Sequence, residues 1–251
     1  MANRWIRSWL DRLLPAVCLV CGDPLGSAEG RVCGLCWARA RRPRHPLCPR
    51  CGIALQDTGT AGSSLTCGEC REWLPYLRRA RASFIMSGTA AAMVHALKYG
   101  GWKELAREMG AEMAAQSLGK GLEGEIAAVL PVPLSRTRLR ERGFNQAELL
   151  AAVVAERWNR PLLRDVLVRH LHTRRQARLA PRERLANVSG AFAVRRSTDL
   201  LADAHVLLVD DVLTTAATVQ ECVRALCGAG ARAVSVVTFA RARPELPRAD
   251  R

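Results

Sequence analysis

Lysine is nearly missing from a strongly basic chain. Of 38 basic residues in 251, only Lys98, Lys103 and Lys120 are lysine and 35 are arginine, against 23 acids, for a net charge of +15. Coding bias across a genome produces such an imbalance, so the choice of arginine identifies no function by itself. Long apolar runs are missing too. No stretch approaches the ~18 residues that would span a bilayer, which excludes a helical transmembrane segment. Nor is a secretory leader expected: Arg4, Arg7, Asp11 and Arg12 interrupt the first apolar residues, leaving no continuous hydrophobic region. Trp5, Trp9 and Leu13 instead share one face of a short predicted helix, expected to pack on the cysteine-rich segment behind it. A cytoplasmic location follows as the expectation, and there thiols stay reduced.

What is plentiful is cysteine. Eight of the ten cysteines form C-x-x-C pairs, Cys18/Cys21, Cys33/Cys36, Cys48/Cys51 and Cys67/Cys70. Thiolates at this spacing are zinc knuckles, two per tetrahedral ion, so eight ligands make two closed, structural Zn2+ sites. Cys18 and Cys48 each begin C-x-x-C-G-x-x-L, whereas Cys33 and Cys67 each begin C-G-x-C. This ABAB order pairs each knuckle with the one that follows and predicts two tandem ribbons, the second with a longer loop at residues 58–64. Residues 1–80 are too poor in apolar periodicity to build a large core and are expected to fold around metal. Residues 81–240 are expected to form an α/β domain and residues 241–251 a basic disordered tail. Cys222, on the apolar face of a helix, is read as a small core residue.

Near the C-terminal end, Val206-Leu207-Leu208-Val209 runs into Asp210 and Asp211, followed by Val212, Leu213, Thr214, Thr215, Ala216, Ala217 and Thr218. The continuous apolar run suits a strand buried on both faces. Val219, Cys222, Val223 and Leu226 mark one face of the next helix, which Gly228 and Gly230 end, and residues 233–239 read as another strand. The unit is β-loop-α-β with two acids at a strand end, where open α/β sheets bind ligands. Adjacent carboxylates accept hydrogen bonds from two vicinal ribose hydroxyls. Small residues let backbone N–H groups approach a phosphate at the helix N-terminus.

The string Val209-Asp210-Asp211 with Thr214-Thr215-Ala216-Ala217-Thr218 resembles the phosphoribosyl pyrophosphate (PRPP) motif of type I phosphoribosyltransferases, which implies a parallel sheet flanked by helices. The chain departs from that motif at Ala216, where the family usually carries glycine. If the position needs φ > 0, alanine costs roughly 1–2 kcal/mol. Upstream stand Leu97-Lys98-Tyr99-Gly100, Pro131-Val132-Pro133-Leu134-Ser135, Arg142-Gly143-Phe144-Asn145-Gln146-Ala147-Glu148 and Arg184-Leu185-Ala186-Asn187-Val188. In that order, with the knuckles before and the acid pair after, they resemble the ComF family of bacterial DNA-uptake proteins. The resemblance implies a cytoplasmic double zinc ribbon joined to a phosphoribosyltransferase-like domain, PRPP bound with Mg2+, a part in handling single-stranded DNA, and partners in the uptake machinery. Lys98, Ser135, Arg142, Asn145 and Gln146 are the candidate contacts to pyrophosphate or substrate.

Between residues 132 and 186 stand 13 arginines against five acids. Such a surplus favours polyanions; Arg136, Arg138 and Arg140, with Arg174, Arg175 and Arg178, are the candidate contacts to nucleic acid. An active transferase with an unknown acceptor and a PRPP-sensing regulator are the alternative functions. No general base stands out in the sequence.

Overall fold

The computed structural model describes residues 16–26, 30–55, 66–119, 121–170, 190–195 and 198–242. Trp5, Trp9, the 58–64 loop, Arg174, Arg175, Arg178, the 184–188 string and residues 243–251 lie outside them.

Two short helices, α1 (Gly34–Arg39) and α2 (Gly68–Arg71), start within the second knuckle of each ribbon, with Cys33 and Cys67 at their N-caps. The sheet begins with β1 (Leu77–Ile85), then α3 (Gly88–Tyr99), α4 (Leu105–Ala114), α5 (Leu122–Glu125) and β2 (Ile126–Pro131). Next come α6 (Arg136–Arg142), α7 (Gln146–Arg157), and a two-stranded antiparallel ribbon of β3 (Leu167–Arg169) with β4 (Phe192–Val194). The chain closes with β5 (His205–Leu213), α8 (Ala217–Gly228) and β6 (Ala233–Arg241). The main sheet is parallel throughout, in the order β1-β6-β5-β2.

Alternation along the strands builds two cores. Leu207, Val209, Val237 and Phe239 pack with residues of α3, α4 and α7, among them Met93, Met109 and Leu150. Val206, Leu208, Val234 and Val236 pack with Val219, Cys222, Val223 and Leu226 of α8 on the other face. Cys222 is fully buried there, as its place on the apolar face leads one to expect. The strand β5 does not stop at Val209. Pairing continues through both acids, with Asp210 opposite Thr238 and Leu213 opposite Arg241, because β6 is equally long. Among the described residues, no helix is long and apolar enough to cross a membrane.

The cysteine ribbons are built onto the edge of this sheet. Cys18, Val32, Cys33 and Cys36 join the core on the α3 face, whereas Cys48, Cys51, Cys70 and Trp73 join the core on the α8 face. The two ribbons thus straddle the edge strand β1. Its free amides are used: Ala80 N–H donates to Arg50 O at 2.8 Å and Ile85 N–H to Arg41 O at 2.7 Å. An edge strand left open is a template for unwanted pairing, and here the ribbon backbone covers it. Arg50 reinforces the junction by donating to the carbonyls of Cys70 (2.7 Å) and Leu77 (3.1 Å). Arg241, expected to open the tail, is the last residue of β6 and only 4% exposed. It donates to Cys51 O at 3.2 Å and pairs with Glu69 at 2.7 Å.

Candidate functional site

At the carboxyl end of β5 lies a cleft of about 290 Å³ lined by Asp210, Asp211, Thr214, Ala216 and Thr218. Facing them are Lys98, residues 132–134, Arg138, Arg142, Gln146 and Arg169. Distant parts of the chain therefore meet around the acid pair.

The acids differ in environment. Asp211 is 3% exposed and its Oδ1 lies 2.9 Å from Lys98 Nζ, while its Oδ2 is buried without a hydrogen-bond partner. Asp210 accepts the backbone N–H of Asp211 at 2.8 Å. Burial, then the neighbouring charge of Asp211, pushes the Asp210 carboxyl up to about 7, against the pull of Lys98. A carboxyl group poised there accepts hydrogen bonds from hydroxyls when ionised and donates one when protonated.

The loop after β5 is shaped by Ala216. This residue is 2% exposed and left-handed, with φ 56° and ψ 1°, the conformation that favours glycine. Its carbonyl accepts Gln220 N–H at 2.8 Å and starts α8. The first N–H groups of that helix have no intrahelical partners, and Ala216 supplies no capping side chain. Thr215 and Ala217 complete the loop without lining the cleft.

The facing wall is held by residues with a positioning part. Ser135 caps α6, its Oγ accepting Arg138 N–H at 3.4 Å. Asn145 caps α7 by accepting Ala147 N–H at 3.1 Å and donates from Nδ2 to Val132 O at 3.1 Å. Neither lines the cleft; both fix the segments that do. Arg142 donates to Gln146 Oε1 at 2.9 Å and lies over the Tyr99 ring at 5.0 Å. Of the α6 arginines, Arg138 and Arg142 line the cleft, while Arg136 and Arg140 are exposed outside it. Arg169, at the end of β3, lines the cleft as well. It lies over Phe192 at 5.3 Å, and burial pushes its pKa down. Its strand has three residues, too short for a periodic signal to separate it from the arginines that follow.

The cysteines form the pairs that the repeat predicts. Cys18, Cys21, Cys33 and Cys36 make one set and Cys48, Cys51, Cys67 and Cys70 the other, the sulfurs of each within 4.8 Å of one another. Zn–S bonds of about 2.3 Å require tetrahedral edges of about 3.8 Å. Cys21···Cys33, Cys48···Cys70 and Cys51···Cys67 are 3.7, 3.8 and 3.5 Å apart. Backbone N–H groups of Val20 and Cys33 donate to Cys18 Sγ at 3.4 and 3.3 Å, which favours the thiolate. Both sets fit structural zinc and leave no open coordination position.

Residues 9–71 match the double zinc ribbon domain and residues 113–251 the phosphoribosyl transferase domain. The chain is 32% identical to the DNA utilization protein YhgH of Salmonella typhimurium, over 91% of this chain and 98% of the relative. It is 27% identical to Competence protein F of Haemophilus influenzae, over 90% of this chain and 96% of the relative. With Competence protein ComFC of Bacillus subtilis, identity is 25% over 84% of this chain and 83% of the relative.

Proposed function

This chain belongs to the ComF family, in which a double zinc ribbon precedes a phosphoribosyl transferase domain, and we propose that its cleft binds PRPP with Mg2+ while the protein handles single-stranded DNA in the cytoplasm during DNA uptake. The observation that carries the reading is the meeting of the Asp210–Asp211 pair with Lys98, Arg138, Arg142 and Arg169 around one cleft. The acids suit ribose hydroxyls, the cations suit phosphates, and the start of α8 adds partial positive charge.

The donor set also fits Mg2+ carried in with its ligand. Asp211 has a buried oxygen with no partner, but two carboxylates among four cations do not make an all-protein cage. Mg2+ usually keeps waters and binds through one or two carboxylates plus phosphates. Bound this way, the ion neutralises pyrophosphate charge. Asp210 and Asp211 orient the ribose, and the facing cations hold the phosphates in place.

Calorimetry with PRPP, with and without Mg2+, tests the reading. Binding that requires Mg2+ and vanishes in the Asp210→Asn/Asp211→Asn variant is expected, with an unchanged unfolding transition temperature as the control for folding. Heat of binding that survives the double substitution would place the ligand elsewhere. Pyrophosphate release in the presence of candidate acceptors would favour an active transferase; PRPP-dependent changes in partner binding without turnover would favour a regulator. For nucleic acid, Arg136, Arg138 and Arg140 of α6 are the proposed contacts, together with Arg174, Arg175 and Arg178.

A further inference from the structure

A second concavity, of about 570 Å³, lies between the two ribbons, away from the acid pair. It is lined by Arg39, Arg41, Arg42 and Arg44, by Trp37, and by Ile85 at the end of β1, with no acid among its lining residues. All four arginines are exposed. Arg42 is engaged: it pairs with Glu112 and lies over Phe84 at 4.5 Å. The side chains of Arg39, Arg41 and Arg44 are held by no acid among the described residues. Residues 41–44 are neither helix nor strand, and Arg41 O is pinned by Ile85 N–H at 2.7 Å. The linker thus carries exposed guanidinium groups at Arg41 and Arg44, beside Arg39 at the end of α1, with the Arg41 backbone held to β1. Trp37, half-buried, forms an aromatic wall, braced against Phe84 and Phe239 at 5.9 and 6.1 Å between ring centroids.

We propose that this inter-ribbon groove is a binding track for the phosphate backbone of single-stranded DNA. Four arginines lining one concavity without an acid match a polymer with repeated phosphates better than one small anion. A concave groove with an aromatic wall suits a single strand, whereas a membrane presents a broad surface that a groove would meet only at its rims. Guanidinium groups are well shaped for phosphate oxygens. Ile85 lines the groove and the next residue, Met86, lines the cleft, so the end of β1 contributes to both concavities. The proposal rests on the single-stranded DNA part of the reading above and adds a second location to the α6 contacts, independent of whether PRPP binds.

The test uses the full chain and a fluorescent oligo-dT, with binding followed by anisotropy across a salt series. Arg39→Glu/Arg41→Glu/Arg44→Glu is expected to weaken binding at low salt at least tenfold. The log–log salt slope should become shallower by about 2, at about 0.7 for each phosphate no longer neutralised. The triple Arg→Lys variant should keep most of the affinity, and the triple Arg→Ala variant gives the same test should charge reversal disturb folding, monitored by zinc content. Undiminished DNA binding in folded Glu and Ala variants would overturn the proposal, as would no binding by the parent chain. Loss only in an Arg138→Glu/Arg140→Glu variant would also overturn it, and would leave DNA at the α6 rim. Retained PRPP affinity in the triple Glu variant supports a separate site. Arginine-dependent binding to phosphatidylserine vesicles without any effect on oligo-dT would overturn it in favour of a membrane.

Discussion

Lys98 Nζ stands 2.9 Å from Asp211 Oδ1, so a lysine at the end of α3 holds a carboxylate on β5. Lys98→Met would leave a buried carboxylate with neither oxygen paired. Urea unfolding should show a loss of about 1–3 kcal/mol, and PRPP should bind more weakly. Lys98→Arg is expected to restore part of both. A Met variant as stable as the parent would show that the pair contributes nothing to the fold.

Ala216 sits at φ 56°. Glycine there relieves about 1–2 kcal/mol of left-handed strain but loses up to about 1 kcal/mol through added freedom in the unfolded chain. Ala216→Gly should thus be neutral or stabilising by up to about 1.5 kcal/mol in denaturant titrations. PRPP affinity should be unchanged or higher, because a methyl group beside the phosphate loop is removed. Clearly weaker PRPP binding would contradict this account of the loop.

The raised pKa of Asp210 has a definite sign in the pH dependence of stability. The folded chain keeps this proton up to about 7, well above the usual carboxylate range. The folded state therefore binds more protons between the two values, and this group's contribution falls as pH rises through that window, then levels off. Asp210→Asn should be more stable than the parent at pH 8, by on the order of 4 kcal/mol, with the gap closing toward pH 4. Thermal unfolding of both proteins at several pH values measures it; a gap that widened on acidification would refute the environment assigned to Asp210.

Zinc analysis of protein purified without added metal should give about two ions per chain, at four thiolates each. Because Arg50 and Arg41 carbonyls hold the amides of Ala80 and Ile85, the ribbons and the sheet are expected to lose order together. Cys48→Ser should speed hydrogen exchange at the Ala80 amide more than at Leu208 in the sheet centre. Exchange over β1 that stayed at the parental rate would show the second ribbon to be an independent unit.

The sequence alone determined the knuckle pairing, because each ribbon repeats its own local spacing and zinc accepts only four sulfurs. It also located the strand, acid pair, loop and helix of the phosphoribosyl motif, since a buried strand and a helix face leave short-range periodic patterns. Left-handed backbone at Ala216 was foreseeable as a condition of the glycine it replaces. Tertiary structure decided the rest. That Ser135 and Asn145 cap α6 and α7 is set by the direction of two chain turns. Arg241 looked like the start of a tail and is a strand end buried against a zinc ribbon. Lys98 reaches Asp211, and the ribbons cover β1, only because parallel strands joined by long crossovers bring sequence-distant segments to one sheet end and one edge. No local pattern of residues encodes such contacts; they follow from the order in which the strands are laid down.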